Sequence, residues 1–404
     1  MKSHIFISIH YMEIGGAETA LIGLLNALDP SKVEVDLFLH DHRGEMLPFV
    51  PSWVHVLPTI PGYTVLERPI KELMKRGFWF IAAARLISKI SSTIVYKRSG
   101  SRLSNASVFH YMAAFTTPLL PKINPKVKYD LAISFLTPHQ ITLQKVDAQK
   151  RIAWIHTDYT KIWVDSKAEL SIWSRYNYIA SISEDVSNTF LRIFPSLASK
   201  IVQIENIVSP SFVKERANML PEKSDSIFVK ENKVVKLLSV GRFSEAKNYD
   251  NLPDICRRIV EKGLNVKWYV IGYGSDETLI RQNIAKAKMQ EHVIILGKRS
   301  NPYPYIKACD IYVQPSRYEG KSVTVREAQI LRKPVVVTNY PTAPSQINQG
   351  VDGVIVPLDN EGCAVELAKV IKDKELQKHL VDYLSVHDYG NESEVEKIYS
   401  ILNC

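Results

Sequence analysis

The stretch that decides the fold is YEGKSVTVREAQILRK, residues 318–333, followed at once by the apolar run PVVV. The apolar run predicts a buried strand, so residues 318–333 contain a loop and the helix before that strand. This places Glu319 in the turn after an earlier strand, residues 311–314, and near the helix N-terminus. Glu327 is expected about two turns along the helix.

Two carboxylates near a helix N-terminus predict a particular kind of ligand. The unpaired N–H groups and positive dipole end of a helix suit an anion such as phosphate. The carboxylates of Glu319 and Glu327 can then accept hydrogen bonds from neutral hydroxyls, a combination that a nucleotide sugar requires. The spacing alone fits equally well a pair of solvated acids near a helix start, where acids are favoured.

Glycines and cations follow neighbouring predicted strands in the second half of the chain. Ligands of open α/β sheets bind at the carboxyl ends of the strands, and glycine lets the backbone make tight turns there. Each glycine alone is compatible with a plain turn, but together they predict a ligand site at one edge of the sheet. The residues concerned are Gly241, Arg242, Lys247, Gly272, Gly274, Gly297 and Lys298.

These motifs resemble the nucleotide-sugar-binding signature of retaining glycosyltransferases of family 4. That family has the GT-B fold, an α/β architecture of two Rossmann-like domains whose parallel sheets face a central cleft. The resemblance spans nearly the whole chain and is strongest over residues 234–357. Lys321 departs from the family, which commonly has an aromatic or apolar residue there. The matching motifs are Gly241-Arg242 with Lys247, Gly272-x-Gly274, Glu319-Gly320 with Glu327-Ala328, and the N-terminal loop Gly15-Gly16-Ala17-Glu18.

The resemblance also implies roles for single residues. Glu319 is expected to accept hydrogen bonds from hydroxyls of the donor sugar, and Glu327 to bind the ribose hydroxyls. His156, at the end of the predicted strand 152–156, matches a family histidine near the donor sugar; a core histidine is the other interpretation. The expected catalytic residues are Glu319 and His156, and the expected donor-binding residues are Gly16, Arg242, Lys247, Gly272, Lys298, Gly320, Lys321, Ser322 and Glu327.

The implied reaction moves a sugar from a UDP- or GDP-sugar to a glycan or polyprenyl-linked acceptor with retention of configuration. Amides of residues 320–322 are expected to cap the sugar and phosphate, and backbone groups of residues 297–299 to meet the base. No Asp-x-Asp occurs in the sequence, so we expect no metal and no other cofactor. Arg242 and Lys247 would then neutralise the leaving diphosphate. The resemblance points to capsule, O-antigen or exopolysaccharide synthesis.

Length and composition agree with a two-domain cytoplasmic enzyme. The chain has 404 residues, 46% of them hydrophobic, and four widely spaced cysteines without a CxxC pair. This predicts two full cores, and neither a zinc site nor a disulfide framework. An irregular polar segment, residues 209–232, sets the expected boundary between an acceptor-binding domain, 1–208, and a donor-binding domain, 209–390. In the family fold the terminal helix, about 391–404, returns to the first domain.

Residues 66–126 combine basic and apolar side chains, and acids are nearly absent after Glu72. Arg85 and Lys89 interrupt the apolar run, which argues against a transmembrane span. Two interpretations stay open: an amphipathic helix on the anionic inner face of the cytoplasmic membrane, or a helix packed on the core with a solvated basic face. The net charge of +9 also suits nucleic acid, but no nucleic-acid-binding motif is present.

Other enzyme classes compete with a glycosyltransferase. A nucleotide-sugar epimerase or a sugar phosphorylase could use a similar two-domain cleft, and this alternative stays open. A nicotinamide oxidoreductase is disfavoured because no Gly-x-Gly-x-x-Gly follows an early strand, and the run from Gly272 to Ser275 lacks the third glycine.

Overall fold

The computed structural model describes residues 2–64, 66, 68–221 and 224–403. The chain divides into two compact units. Unit 1 comprises residues 1–207 and 392–404, and unit 2 comprises residues 208–391. The boundary expected from the sequence lies between residues 208 and 209, and the first boundary in the structure lies one residue earlier, between residues 207 and 208.

Unit 1 is built on a parallel sheet with the strand order β3-β2-β1-β5-β6-β8-β9. Its central strands are almost continuously apolar and buried, as expected for a parallel sheet covered on both faces. A separate pair, β4 with β7, lies outside this sheet. The strands are β1 (Ser3–Ile9), β2 (Val33–Leu39), β3 (His55–Val56), β4 (Ser104–Asn105), β5 (Tyr129–Ser134), β6 (Ala148–Ile155), β7 (Ile162–Trp163), β8 (Tyr178–Ser181) and β9 (Ile201–Gln203).

Helices connect and cover these strands. One of these helices begins after Ser183, whose Oγ accepts a hydrogen bond from the Val186 N–H at 3.2 Å and so caps the helix. The helices of unit 1 are α1 (Gly16–Ala27), α2 (Pro61–Thr64), α3 (Ile70–Lys75), α4 (Trp79–Ser99), α5 (Ser107–Thr116), α6 (Gln140–Lys145), α7 (Ser166–Trp173), α8 (Glu184–Ile193) and, from the end of the chain, α16 (Glu396–Asn403).

Helix α16 is held to unit 1 by hydrogen bonds and by a cation–ring contact. The Tyr399 hydroxyl accepts from the Asp29 N–H at 2.7 Å, and Lys32 Nζ lies 4.9 Å from the Tyr399 ring centroid. Lys150 Nζ donates to the carbonyl oxygen of Ile401 at 2.8 Å. This last contact satisfies a carbonyl that a helix C-terminus otherwise leaves unpaired.

Helix α4 is turned so that its large apolar side chains face outward. The face toward the core carries mostly small side chains: Ile81, Ala82, Ala84, Ser88 and Ser92. The opposite face, expected from the sequence to be solvated and basic if the helix packed on the core, carries large apolar side chains beside exposed basic ones such as Lys89. Between 44% and 83% of each of six large side chains is exposed there: Trp79, Phe80, Leu86, Ile87, Ile90 and Ile94.

Unit 2 contains a second parallel sheet, with the order β12-β11-β10-β13-β14-β15. Strand β10 pairs with β11 on one side and β13 on the other, through Leu237 with Trp268 and Leu237 with Ile311. The strand order therefore reverses at β10. The strands are β10 (Val235–Val240), β11 (Val266–Ile271), β12 (Val293–Gly297), β13 (Ile311–Gln314), β14 (Val335–Thr338) and β15 (Val354–Val356).

The helices of unit 2 include one that the sequence pattern does not predict. Residues 209–232, expected to be irregular, contain α9, which begins at Pro210 after Ser209; the Ser209 side chain accepts from the Phe212 N–H. The helices are α9 (Pro210–Ala217), α10 (Leu252–Glu261), α11 (Glu277–Lys286), α12 (Tyr303–Ala308), α13 (Val323–Ile330), α14 (Asn360–Lys372) and α15 (Lys374–Val386).

Candidate functional site

The candidate site of unit 2 lies where its strand order reverses. Strands β10 and β13 are neighbours, so the loops that follow them meet at the carboxyl edge of the sheet. The Arg317 N–H donates to the Ala246 carbonyl at 2.8 Å, which joins the two loops directly. Open α/β sheets bind ligands in the crevice at such a reversal point. The sheet topology thus brings Lys247 and Glu319, 72 residues apart in sequence, to one place.

Glu319 has two carboxylate oxygens in different environments. Its Oε1 accepts three hydrogen bonds, from Lys247 Nζ at 2.6 Å, Gln314 Nε2 at 2.9 Å and Ser316 Oγ at 2.6 Å. Its Oε2 has no hydrogen-bond partner among the residues described. The side chain is only 12% exposed. One oxygen therefore fixes the orientation of the carboxylate, and the other remains able to accept hydrogen bonds from a ligand.

The two cations predicted for this edge differ in their contacts. Lys247 forms an ion pair with Glu319, whereas the sequence motifs predict a contact with the diphosphate alone. Arg242 is exposed and makes no polar contact with any described residue. A diphosphate bound here could contact Arg242 directly. It would share Lys247 with the carboxylate of Glu319.

Two tyrosine hydroxyls close to Glu319 are buried without a hydrogen-bond partner among the described residues, those of Tyr249 and Tyr340. Burial raises the pKa of both phenols, and the negative charge of Glu319 raises it further. Buried hydroxyls are normally paired. Their presence beside Glu319 favours a ligand rich in oxygen atoms at this position.

Gly272 and Gly274 allow two neighbouring loops to pack closely. A Cβ atom on Gly272 would lie 1.9 Å from the Gly241 carbonyl oxygen, and one on Gly274 would lie 2.2 Å from the Phe243 carbonyl oxygen. The Phe243 N–H donates to the Tyr273 carbonyl at 2.8 Å. The glycines thus let the loops after β10 and β11 run side by side, and the contact of Gly272 with the donor stays a prediction.

Helix α13 begins later than the sequence suggests. Its first residue is Val323, so Glu327 lies just over one turn along it, not two. The Ser322 N–H, expected to cap the sugar and phosphate, donates to Gln346 Oε1 at 3.0 Å. Around Gly320 there is open space, because a Cβ atom there would meet no other group within 4 Å.

Glu327 is 2% exposed and accepts a hydrogen bond at 2.8 Å from the hydroxyl of Tyr303, the first residue of α12. Burial raises its pKa to about 7, and the bond from Tyr303 opposes this shift. The predicted contact with ribose hydroxyls would require access to this buried group.

The raised pKa of Glu327 predicts a pH dependence of stability. The unfolded carboxyl loses its proton near pH 4.5 and the folded one near 7. Its contribution to the free energy of unfolding therefore falls as pH rises through this window, by about 3 kcal/mol in total. The Glu327→Gln variant should lack this fall while keeping an acceptor for Tyr303. Urea unfolding of both proteins at pH 5 and pH 8 measures the difference; parallel pH profiles would contradict the assignment.

The loop after β12 holds the remaining donor-side candidates. Gly297 has a φ of +76°, which glycine adopts at no steric cost. Lys298 Nζ lies 5.0 Å from the centroid of the Tyr273 ring. The side chain of Arg299 is buried and pairs with Asp225 at 2.8 Å, so it stabilises the unit.

The candidates of unit 1 lie at the carboxyl edge of its own sheet. Gly16 is the first residue of α1, and a Cβ atom added to it would meet no other group within 4 Å. His156 follows β6, which ends one residue earlier than predicted, and its Nε2 is buried without a partner among the described residues. Burial lowers the pKa of His156 to about 4, with a backbone hydrogen bond to Phe135 acting in the opposite direction.

Three residues that hold the two carboxylates are not apparent from the sequence motifs. Gln314, Ser316 and Tyr303 each donate to Glu319 or Glu327. A polar residue at the end of an apolar strand, as Gln314 is, is a signal that could have been used. Nothing in the sequence alone connects Tyr303 with Glu327, because the contact depends on the packing of α12 against α13.

Comparisons with known proteins agree with this geometry. Residues 222–385, which include the whole candidate site of unit 2, match the model of the family described as glycosyl transferases group 1. The match covers the second sheet and its loops, as the sequence motifs predicted.

Two relatives are named for the biosynthesis of amylovoran and of a capsular polysaccharide. The amylovoran biosynthesis glycosyltransferase AmsD of Erwinia amylovora is 27% identical over 50% of this chain and 56% of its own. The capsular polysaccharide biosynthesis glycosyltransferase CapM of Staphylococcus aureus is 32% identical over 37% of this chain and 41% of its own. The chain therefore matches only about half of these relatives' own length.

A solved structure resembles the chain over its full length. A mutant of TarM from Staphylococcus aureus, in complex with Fondaparinux, alpha-GlcNAc-glycerol and UDP, has a TM-score of 0.64 at 15% identity, covering 100% of both chains. At this identity the likeness establishes the fold alone. The fold class is α/β with two parallel sheets, that of GT-B glycosyltransferases, and this prediction is confirmed.

Proposed function

We propose that the protein is a glycosyltransferase that moves a sugar from a nucleotide-diphosphate sugar to a glycan or lipid-linked acceptor during synthesis of a bacterial surface polysaccharide. The observation that carries the proposal is the carboxylate of Glu319, with Oε1 held by three donors and Oε2 free among the described residues. The match to the group 1 family and the names of the two relatives support the reaction class and the pathway.

The proposed reaction retains the configuration of the sugar. The bond from the anomeric carbon to the diphosphate breaks while a bond to the acceptor oxygen forms on the same face. The leaving diphosphate oxygen takes the proton of the acceptor hydroxyl. Glu319 Oε2 would accept hydrogen bonds from the donor sugar, and His156 is the second residue that we propose takes part in the reaction. Glu327 would bind the ribose once its contact with Tyr303 adjusts.

The class of reaction is tested with nucleotide sugars supplied with and without an acceptor. We expect UDP- or GDP-sugars to raise the melting temperature, and mass spectrometry to detect a new glycoside on a lipid-linked acceptor. Conversion of a nucleotide sugar in the absence of any acceptor would instead indicate an epimerase. A product that requires inorganic phosphate would indicate a phosphorylase.

The proposed role of Arg242 and Lys247 predicts activity without a metal ion. Lys247→Ala should weaken the binding of UDP or GDP about 10- to 100-fold, since a charge-assisted contact contributes about 1.5–3 kcal/mol. Lys286→Ala, which removes an exposed lysine at the end of α11, is the control of equal charge. Calorimetric titration measures both variants. Nucleotide affinity unchanged by Lys247→Ala, or activity abolished by a chelator, would contradict the proposal.

We also propose that the outward face of α4 docks on an anionic membrane surface, which would place a lipid-linked acceptor nearby. Six exposed apolar side chains share this face. None of the described helices combines the length and apolar character that crossing a membrane requires. Residues 73–129 contain no acid and ten bases, a charge that complements an anionic bilayer: Lys75, Arg76, Arg85, Lys89, Lys97, Arg98, Arg102, Lys122, Lys126 and Lys128.

Membrane docking predicts that the protein sediments with anionic vesicles at low salt. Replacing Lys71, Lys75 and Arg76 by glutamine should weaken binding about 100-fold, at about 1 kcal/mol for each charge. Replacing Phe80 and Ile90 by serine should also release the protein. The matched control replaces Leu220 and Val386, which are 92% and 78% exposed in unit 2, by serine. Wild-type protein that remains in the supernatant would rule out docking.

A further inference from the structure

A cavity of about 220 Å³ lies within unit 1 at the carboxyl ends of β5 and β6. Its walls come from the loops after these two strands and from helices α5 and α7. The carboxyl edge of a parallel sheet is where α/β folds bind ligands. The volume is many times the roughly 10–15 Å³ that one water molecule needs by this measure, so a small ring-shaped ligand has room to enter.

Three residues that line the cavity each carry a buried nitrogen atom without a hydrogen-bond partner among the described residues. They are Trp154 (Nε1), His139 (Nε2) and His156 (Nε2). Trp154 and His139 are each only 3% exposed. A buried polar group left unpaired costs about 1–3 kcal/mol, so three such residues around one cavity favour a ligand with several oxygen atoms.

Aromatic rings make up much of the remaining wall. The ring centroids of His139 and Trp173 lie 4.5 Å apart. Trp154 stacks against His156 with a centroid distance of 6.2 Å and an interplanar angle of 12°. Phe109 contributes a further ring from α5 and is 42% exposed. Flat apolar surfaces combined with a few fixed polar atoms are typical of pockets that orient a small ring.

The cavity offers no positive charge to an anion. None of its described lining residues is a lysine or an arginine. Burial lowers the pKa of His139 to about 3 and that of His156 to about 4, so both imidazoles are neutral at pH 7. The one acid among these lining residues, Glu169, accepts from Trp173 Nε1 at 3.1 Å, and burial raises its pKa to about 7. A phosphate buried here would remain uncompensated.

We propose that this cavity binds an uncharged sugar ring of the acceptor and excludes phosphorylated sugars. The inference rests on the proposed function, because a glycosyltransferase needs a second sugar-binding site besides that of the donor. It adds a specificity to that function: the residue that receives the new sugar is a neutral monosaccharide unit. The donor, which carries a diphosphate, is assigned to the cations of unit 2.

Saturation-transfer NMR on the full chain tests the proposal. The probes are methyl glycosides of glucose, galactose and N-acetylglucosamine, together with the 6-phosphates of the same sugars. We expect at least one methyl glycoside to bind, and its phosphorylated counterpart to bind at least about tenfold more weakly. Trp154→Phe keeps an aromatic ring but removes the Nε1 donor, so it should weaken binding about three- to tenfold.

A pair of variants on α5 locates the site. Phe109→Ala should weaken glycoside binding, whereas Phe115→Ala, which truncates a similarly exposed ring of the same helix that does not line the cavity, should leave it unchanged. Equal effects of the two variants, equal binding of the phosphorylated sugars, or no glycoside binding would overturn the proposal. UDP binding without glycoside binding overturns only this inference; failure of both UDP and nucleotide sugars to bind overturns the proposed function itself.

Discussion

Replacing Glu319 by alanine is expected to lower the turnover number about 10²- to 10³-fold, the range found when a preorganised electrostatic contact to a reacting group is removed. The affinity for free UDP or GDP should fall less than about tenfold, because the proposed partner of Oε2 is the donor sugar and not the nucleotide. The three donors that hold Oε1 preset the orientation of the carboxylate, so no conformational change is needed to use it.

Steady-state kinetics and nucleotide titration on the same preparation separate the two effects. Glu245→Ala removes an exposed acid from the loop that also carries Lys247, and it should retain normal turnover. If Glu319→Ala weakened nucleotide binding as much as it slowed turnover, the carboxylate would act on the nucleotide, and its assignment to the reacting sugar would be wrong.

The second large effect is expected on stability. A Cβ atom on Gly272 would lie 1.9 Å from the Gly241 carbonyl oxygen and 2.8 Å from the Phe243 ring. Gly272→Ala must therefore push apart the loops after β10 and β11, at a cost of about 3 kcal/mol or more in the free energy of unfolding. A Cβ atom on Gly320 would meet no group within 4 Å, so Gly320→Ala should change this free energy by less than about 1 kcal/mol.

Denaturant unfolding of the two glycine variants distinguishes a structural role from a ligand-binding role. If the Gly272→Ala protein were as stable as wild type but unable to bind UDP, this glycine would make room for the donor. If the variant unfolded at a lower denaturant concentration than wild type and regained nucleotide binding in a stabilising osmolyte, the packing role would be supported.

The strands are predictable because parallel sheets buried on both faces leave continuous apolar runs in the sequence. The predicted bounds of β13 agree with the structure, whereas β6 begins four residues earlier and ends one residue earlier than predicted. Helix α9 is not predicted, although Ser209 and Pro210 form a good helix start. Its polar composition is equally typical of a linker.

The contacts inside the site could not be predicted because they depend on strand order. Lys247 meets Glu319 only because β10 and β13 are neighbours, and periodicity does not specify which strands pair. The orientation of α4 was not predictable from the sequence either. The amphipathic pattern is visible in the sequence, but burial of the Ala and Ser face reverses the usual rule that the most apolar face is the buried one.

The return of the chain to unit 1 constrains the order in which the protein can fold during synthesis. Residues 392–403 leave the ribosome only after all of unit 2, yet Tyr399 and Ile401 pair with Asp29 and Lys150 of unit 1. The unit that is begun first is therefore completed last, while unit 2, a continuous segment, can close on its own in the meantime. Chain termination near residue 391 would leave unit 2 whole and would remove the hydrogen bonds that Asp29 and Lys150 make to α16.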